Sequence, residues 1–267
     1  MNELGLTDHQ TQIANRVLAE EGQRRDHLVV SLSGAHAYGF PSPDSDLDLK
    51  AVHVAPTASL LGLYQRPETA DRLEVIEGVE IDYTSNELQV VLRGVLAGNG
   101  NFVERLLGPS VLQQSPTLSA LLPLVSGALS KKVYRHYRGF AMSQRKELEG
   151  SPQPTTKRIL YVLRTTMTGV HLLRTGEVVT DLGQICDRYG FSNARALIEA
   201  KRAGEKSPLA PEVLAAWQGE LDRAFLLLDQ ASADSPLPEE ADPGPLEAWL
   251  IGLRLGAPLG SPVSGPP

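Results

Sequence analysis

Residues 46–49 read Asp-Leu-Asp-Leu. On a strand, residues two apart point to the same face. Leu47 and Leu49 therefore enter a core, while Asp46 and Asp48 project together from the opposite side. Two carboxylates held side by side raise each other's proton affinity. A divalent cation reverses that cost, and hard oxygen ligands suit Mg²⁺ or Mn²⁺. Taken alone, the pattern more often describes a solvated strand face, so its surroundings have to decide.

The segment before it, SGAHAYGFPSPDSDLDL, begins as an apolar stretch ends. His27–Leu32 reads as a buried strand running into a glycine-rich turn at Ser33–Gly39. Gly34 follows the strand, and Gly39 closes a short loop before Pro41–Ser45. Glycine lets backbone N–H groups approach a phosphate closely. The turn is not a Walker A loop, because no Gly-Lys-Ser/Thr follows, and the dinucleotide spacing G-x-G-x-x-G is absent. Leu47–Ala55 reads as the next strand. Val79–Tyr83 alternates, with Glu80 and Asp82 sharing its polar face. Residues 7–24, capped by Thr7, and Asn86–Ala97 have helical spacing. The expectation is an α+β fold with a small mixed β-sheet in residues 1–130.

From Lys131 onward the pattern is helical: Lys131–Glu149, Thr155–Thr175, Leu182–Tyr189, Ala194–Ala203 and Pro211–Ala231. An all-helical domain over 131–232 is expected to close a cleft against the first. Residues 233–267 read as a Pro-rich acidic tail with one short helix, Leu246–Leu253, and a disordered end, GAPLGSPVSGPP. Charge follows the same division. Residues 1–130 carry 8 basic and 16 acidic side chains, residues 131–206 carry 15 and 7, and residues 207–267 carry 2 and 9. A basic block between acidic ones fits a surface that meets phosphate, although solvated helix faces give the same count. A net charge of −7 argues against a general nucleic-acid coat protein. The single cysteine, Cys186, excludes an internal disulfide framework. No basic stretch leads into an apolar one at the start, and no apolar run reaches the roughly 20 residues of a membrane span. A reducing, cytoplasmic setting and no membrane partner are expected.

In Thr155–Thr175, the residues Lys157, Tyr161, Arg164, Thr168, His171 and Thr175 line one face beside an apolar stripe. A basic seam on a helix that is otherwise largely apolar should look into a polar cavity. Lys157 and Arg164 are the phosphate-binding candidates, with salt bridging to the acidic first part as the alternative. His171 is read as structural. In Lys131–Lys146, Tyr134, Tyr137 and Arg138 could stack a base or pack the helix onto a neighbour. Asn99 or Asn101 caps a helix, with Glu104 placed for a capping box.

The order Gly34, Asp46, Asp48 resembles the signature of the DNA polymerase beta-type nucleotidyltransferase superfamily. More narrowly, Ala37-Tyr38-Gly39, Ser45-Asp46 and Asp48 resemble the nucleotidyltransferases associated with bacterial and phage RNA ligases. The likeness continues through Asn99–Glu104, Lys157–Arg164 and Leu172–Glu177. It implies a nucleotidyltransferase fold with a third carboxylate on a neighbouring strand, where Asp82 is the better match and Glu80 the alternative. It further implies that Asp46, Asp48 and Asp82 are the catalytic, metal-binding acids, and that Ser33, Gly34 and Ser45 contact the triphosphate. The implied reaction is metal-dependent transfer of a nucleoside monophosphate from a nucleoside triphosphate to a hydroxyl, with an RNA end as acceptor, in RNA repair or processing beside an RNA ligase. One position departs from the pattern. Ala35 stands where the superfamily usually has Ser. The rival readings are a catalytically impaired module that binds nucleotide or RNA, and a transferase that modifies a protein or small molecule.

Overall fold

The computed structural model describes residues 4–64, 67–204, 209 and 211–256. It opens with α1 (Asp8–Gly22), β1 (Asp26–Leu32) and the single turn α2 (Gly34–Ala37). These are followed by β2 (Leu47–Val54), α3 (Thr57–Leu61), β3 (Thr69–Ile76) and β4 (Val79–Glu87). Then come α4 (Leu88–Leu96), α5 (Gly100–Leu107), β5 (Val111–Gln114) and α6 (Leu118–Gly127). The remainder is helical: α7 (Val133–Glu149), α8 (Thr156–Thr175), α9 (Leu182–Ile185), a 3-10 turn Asp187–Tyr189, α10 (Ala194–Ala203), α11 (Pro211–Ala233) and α12 (Gly244–Arg254). The α+β class expected from the sequence is the one observed.

The five strands lie in the order β3-β4-β2-β1-β5. β2 and β4 run parallel, and the other pairs are antiparallel, so the sheet is mixed. One face packs on α1. Thr7 caps that helix in a capping box with Gln10, and Ile13, Val17 and Leu18 turn inward. Under it lie Leu47, Leu49, Ile81 and Tyr83, all fully buried. On the other face, α5 covers β1 and β2. There the Ser31 hydroxyl donates to the Arg105 carbonyl at 3.1 Å, and Arg105 donates to the Ala51 carbonyl at 3.1 Å. That cover ends short of Asp48 and Asp82, which leaves this end of the face open.

Helix α8 is buried on nearly all sides, packed on α7, α10 and α11. Gly176 ends it in the left-handed conformation, φ 76°. The segment expected as one helix from Leu182 to Tyr189 divides at Cys186 into α9 and the 3-10 turn. β3 and β5 are additions to the expected strands. The last helix, α12, returns to the sheet, where Arg254 pairs with Glu87 and donates to the Ala55 carbonyl at 2.8 Å. Of the chain end expected to be disordered, all but Gly256 lies outside the described residues. No helix among the described residues is long and apolar enough to cross a membrane.

Candidate active site

The site begins where β1 ends. The Ser33 N–H donates to the Asp48 carbonyl at 2.9 Å, which ties the turn to β2. Gly34 follows at φ +59°, and a Cβ there would overlap the Asp48 carboxylate. Glycine is required twice over at this position, for its left-handed backbone and for the space that the aspartate fills. The Ser33 hydroxyl lies 3.1 Å from that of Tyr38. Ala35, at the position of the departing residue, is buried. Ser45, expected at the phosphate, instead closes its own loop. It is buried, its Oγ accepts from the Ser42 N–H at 2.9 Å, and it lies 3.0 Å from the Ser42 hydroxyl, which takes a 2.6 Å bond from Lys201. A hydroxyl engaged in this way is not presented to a ligand, so Ser45 is corrected to a structural residue.

Asp46 is exposed immediately before β2, and Asp48 is partly buried within it. Asp82 is the register partner of Asp48 across the parallel β2–β4 pair, so both project from the open face. Glu80 is exposed two residues further along that face. Burial pushes the Asp48 carboxyl up from its ordinary 3.8 to about 6. Asp82 and Asp46 push in the same direction, against Lys50 and Lys157. Lys50, also on this face, places Nζ 2.8 Å from Asp82 Oδ1 and 3.8 Å from Asp48 Oδ1. It donates to the Asp82 carbonyl at 3.3 Å as well.

The same contacts bear on whether a divalent cation fits here. Among the described residues, no three acidic, histidine or cysteine side chains are already gathered into a metal-holding cluster. Two carboxylates nevertheless converge on one positive centre, the Lys50 ammonium, with Asp46 close enough to raise the proton affinity of Asp48. Hard oxygens converging on a cation are the donor set that Mg²⁺ or Mn²⁺ requires.

The helical side of the cleft supplies the second half. A cavity of about 210 Å³ lies between the sheet and α8, with Ser33, Lys50, Asn101, Glu104, Tyr161 and Arg164 in its wall. Arg164, a phosphate-binding candidate, is only 2% exposed. Its Nη1 reaches both Glu104 oxygens, at 2.9 and 3.0 Å, and its guanidinium lies 3.6 Å from the centre of the Tyr38 ring. Glu104 also accepts from the Tyr137 hydroxyl at 3.0 Å. The charge of Arg164 is thus largely met from within the fold, while its buried Nε has no partner among the described residues. Lys157 lines a neighbouring hollow with Arg158 and Tyr161, and it is close enough to Asp48 to lower that residue's proton affinity.

Only the first half of the basic seam faces the cleft. Further along α8, Thr168 donates to the Val179 carbonyl at 3.0 Å, and His171 Nδ1 meets the Tyr189 hydroxyl at 2.9 Å. His171 is structural, as expected. On α7, Tyr137 is fully buried, and Tyr134 and Arg138 bond Asp229 on α11 at 2.8 and 3.0 Å. These side chains pack helices together, the second of the two readings of that segment. Asn99 caps α5 by accepting from the Asn101 N–H at 3.0 Å, but Glu104 crosses to Arg164 and makes no capping box. Sequence reasoning missed Lys50 as a member of the site. The two-residue period that selected Asp46 and Asp48 extends directly to it.

The family described as "RNA repair pathway DNA polymerase beta family" matches residues 11–251. An uncharacterized protein of Methanocaldococcus jannaschii is 29% identical over 219 residues, covering 80% of this chain and 87% of that one. Among solved structures, a spectinomycin adenyltransferase from Enterococcus with ATP and spectinomycin is 15% identical at a TM-score of 0.44, covering 86% of this chain and all of that one. A nucleotidyltransferase-like protein from Exiguobacterium sibiricum is 10% identical at a TM-score of 0.34, covering 84% and 74%.

Proposed function

The chain belongs to the RNA repair pathway DNA polymerase beta family and is a nucleotidyltransferase, and on that premise we propose that it transfers a nucleoside monophosphate from a nucleoside triphosphate to a hydroxyl of an RNA end. The observation that carries the reading is the pairing of Asp48 with Asp82 across β2 and β4, with the Gly34 backbone pressed against Asp48. It puts a phosphate-approachable turn and two acids within one open patch.

Asp46, Asp48 and Asp82 would hold Mg²⁺ or Mn²⁺, which when bound supplies charge stabilisation for the phosphates and acidifies the acceptor hydroxyl. The chain's own groups do the rest. The Gly34 backbone N–H and the Lys157 ammonium hold the triphosphate, and the cavity against α8 takes the nucleoside. Arg164 shapes that cavity from its fixed position on Glu104. Asp82, on the open side of the pair, faces the acceptor. The acceptor oxygen forms a bond to the α-phosphorus, the bond from that phosphorus to the bridging oxygen breaks, pyrophosphate leaves, and the hydroxyl proton passes to a carboxylate or to water. In this reading residues 1–130 are the catalytic domain and residues 131–232 the helical domain that closes the cleft. The protein works in a reducing, cytoplasmic setting in functional association with an RNA ligase.

Incubation with nucleoside triphosphates labelled at the α-phosphate, Mg²⁺ and RNA tests the proposal. Label covalently attached to RNA supports it. Label on a protein or a small molecule instead moves the acceptor to that class. Binding of triphosphate with no transfer to any acceptor leaves a binding module.

A further inference from the structure

Strand β3 is built inside out. Arg72 and Glu74 point toward α1, where Arg72 pairs with Glu20 at 2.7 Å and with Glu21 at 3.3 Å. The apolar residues between and beyond them face solvent: Leu73 is 83% exposed and Val75 64%. An edge strand is normally protected by charge on its free face. Here the charges are spent on the core side.

Register shows where that apolar strip lies. Leu73 is the direct partner of Asp82, and Val75 that of Glu80. Asp82 in turn partners Asp48. Leu73, Asp82 and Asp48 therefore form one row across three strands on the open face, at spacings of about 5 Å. The strip is firmly held. The β3–β4 turn, Glu77 at φ 49° and Gly78 at φ 83°, is a two-residue hairpin of the twisted kind. Its Glu77 carbonyl lies 3.2 Å from His9 Nε2 on α1, and its carboxylate pairs with Arg16 at 3.5 Å.

Charge grades across the row. On the β1 and α8 side of Asp48 lie the Ser33–Gly34 turn and Lys157, which suit phosphate. On the β3 side, beyond the Lys50-paired Asp82, the rim carries the exposed carboxylates Asp71 and Glu80, which repel phosphate. A ligand group resting on Leu73 and Val75 must be uncharged and apolar, and it must bring its reactive atom to Asp82. Resting on the nucleotidyltransferase reading above, we propose that Leu73 and Val75 are the acceptor platform. The last base of an RNA end lies on them, and the acidic rim selects ends with free hydroxyls over ends with a terminal phosphate.

The test uses the full chain and a short oligoribonucleotide with a fluorescent purine analogue as its last base, ending either in free hydroxyls or in a phosphate. Binding of a nucleoside triphosphate is measured in parallel. Leu73→Ser with Val75→Ser alters only exposed positions. It should weaken binding of the hydroxyl end by about tenfold, the order of one lost base-stacking contact, and leave triphosphate binding unchanged. Wild type should prefer the hydroxyl end to the phosphate end. Equal oligonucleotide binding by wild type and double variant, with triphosphate still bound, overturns the platform alone. Wild type that binds no triphosphate overturns the nucleotidyltransferase reading itself. Self-association in sedimentation velocity that the double variant abolishes would make the strip an interface between copies, and also overturns the proposal.

Discussion

The ammonium of Lys50 sits 2.8 Å from Asp82 Oδ1 and 3.8 Å from Asp48 Oδ1, so the acid pair of the open face closes on a positive charge carried by the chain itself. It offsets the repulsion between Asp48 and Asp82 across the β2–β4 pair, and it competes with any divalent cation for the same oxygens. Lys50→Met should tighten Mn²⁺ binding by about tenfold and lower the melting temperature of the metal-free protein. Titration followed by electron paramagnetic resonance reads the first effect, and calorimetry in EDTA the second.

Gly34→Ala should be more damaging than its size suggests. The new methyl meets the Asp48 carboxylate, and the backbone there is left-handed. Strain of this kind costs roughly 1–3 kcal/mol. Relief would come by turning Asp48 away, so transfer activity should fall further than stability. Thermal melts and an activity assay on the same preparation separate the two.

Part of this site is legible in the sequence. The alternation of Asp46 and Asp48 with Leu47 and Leu49, and of Glu80 and Asp82 with Val79, Ile81 and Tyr83, follows from strand geometry alone. Both leucines and Ile81 and Tyr83 are fully buried. β3 escapes because its pattern carries the opposite meaning: apolar residues outward, ion-paired residues inward. β5, with four residues, is too short for periodicity. The Arg164–Glu104 pair spans 60 positions, and each partner has a local explanation, a helix seam and a capping box, that hides the long-range one.

That pair gives a third prediction. Arg164 is 2% exposed and the Glu104 side chain 11%. Glu104→Ala leaves a buried guanidinium without its counter-ion and should destabilise the fold by about 3–5 kcal/mol. Arg164→Met combined with Glu104→Gln should recover much of that loss, because neither charge is then stranded. Urea unfolding of the two variants gives the comparison.

Asp48 gives a pH-dependent one. Its carboxyl stands near 6 in the fold against an ordinary 3.8, so the folded state holds the proton more tightly than the unfolded chain. The stability this provides is complete below about pH 4 and is lost as pH rises through 6. The total is roughly 3 kcal/mol in metal-free protein. His27, lowered to about 4 chiefly by burial, acts oppositely, losing stability as pH falls from 6.5 toward 4. Comparison of wild type with Asp48→Asn isolates the aspartate: the variant should gain on wild type between pH 4 and 6 in EDTA. A constant difference across that window would contradict the shift.

If the acid pair performs nucleotidyl transfer, pyrophosphate is its product and its release can be followed. Wild type with Mg²⁺, a nucleoside triphosphate and RNA bearing free hydroxyl ends should release pyrophosphate. Asp48→Asn, folded as judged by circular dichroism, should release it at a rate lower by about a thousandfold or more. Lys157→Ala should instead weaken triphosphate affinity in a salt-dependent way while turnover at saturation persists. Wild type that binds triphosphate yet releases no pyrophosphate, or an Asp48→Asn variant as active as wild type, would contradict the account.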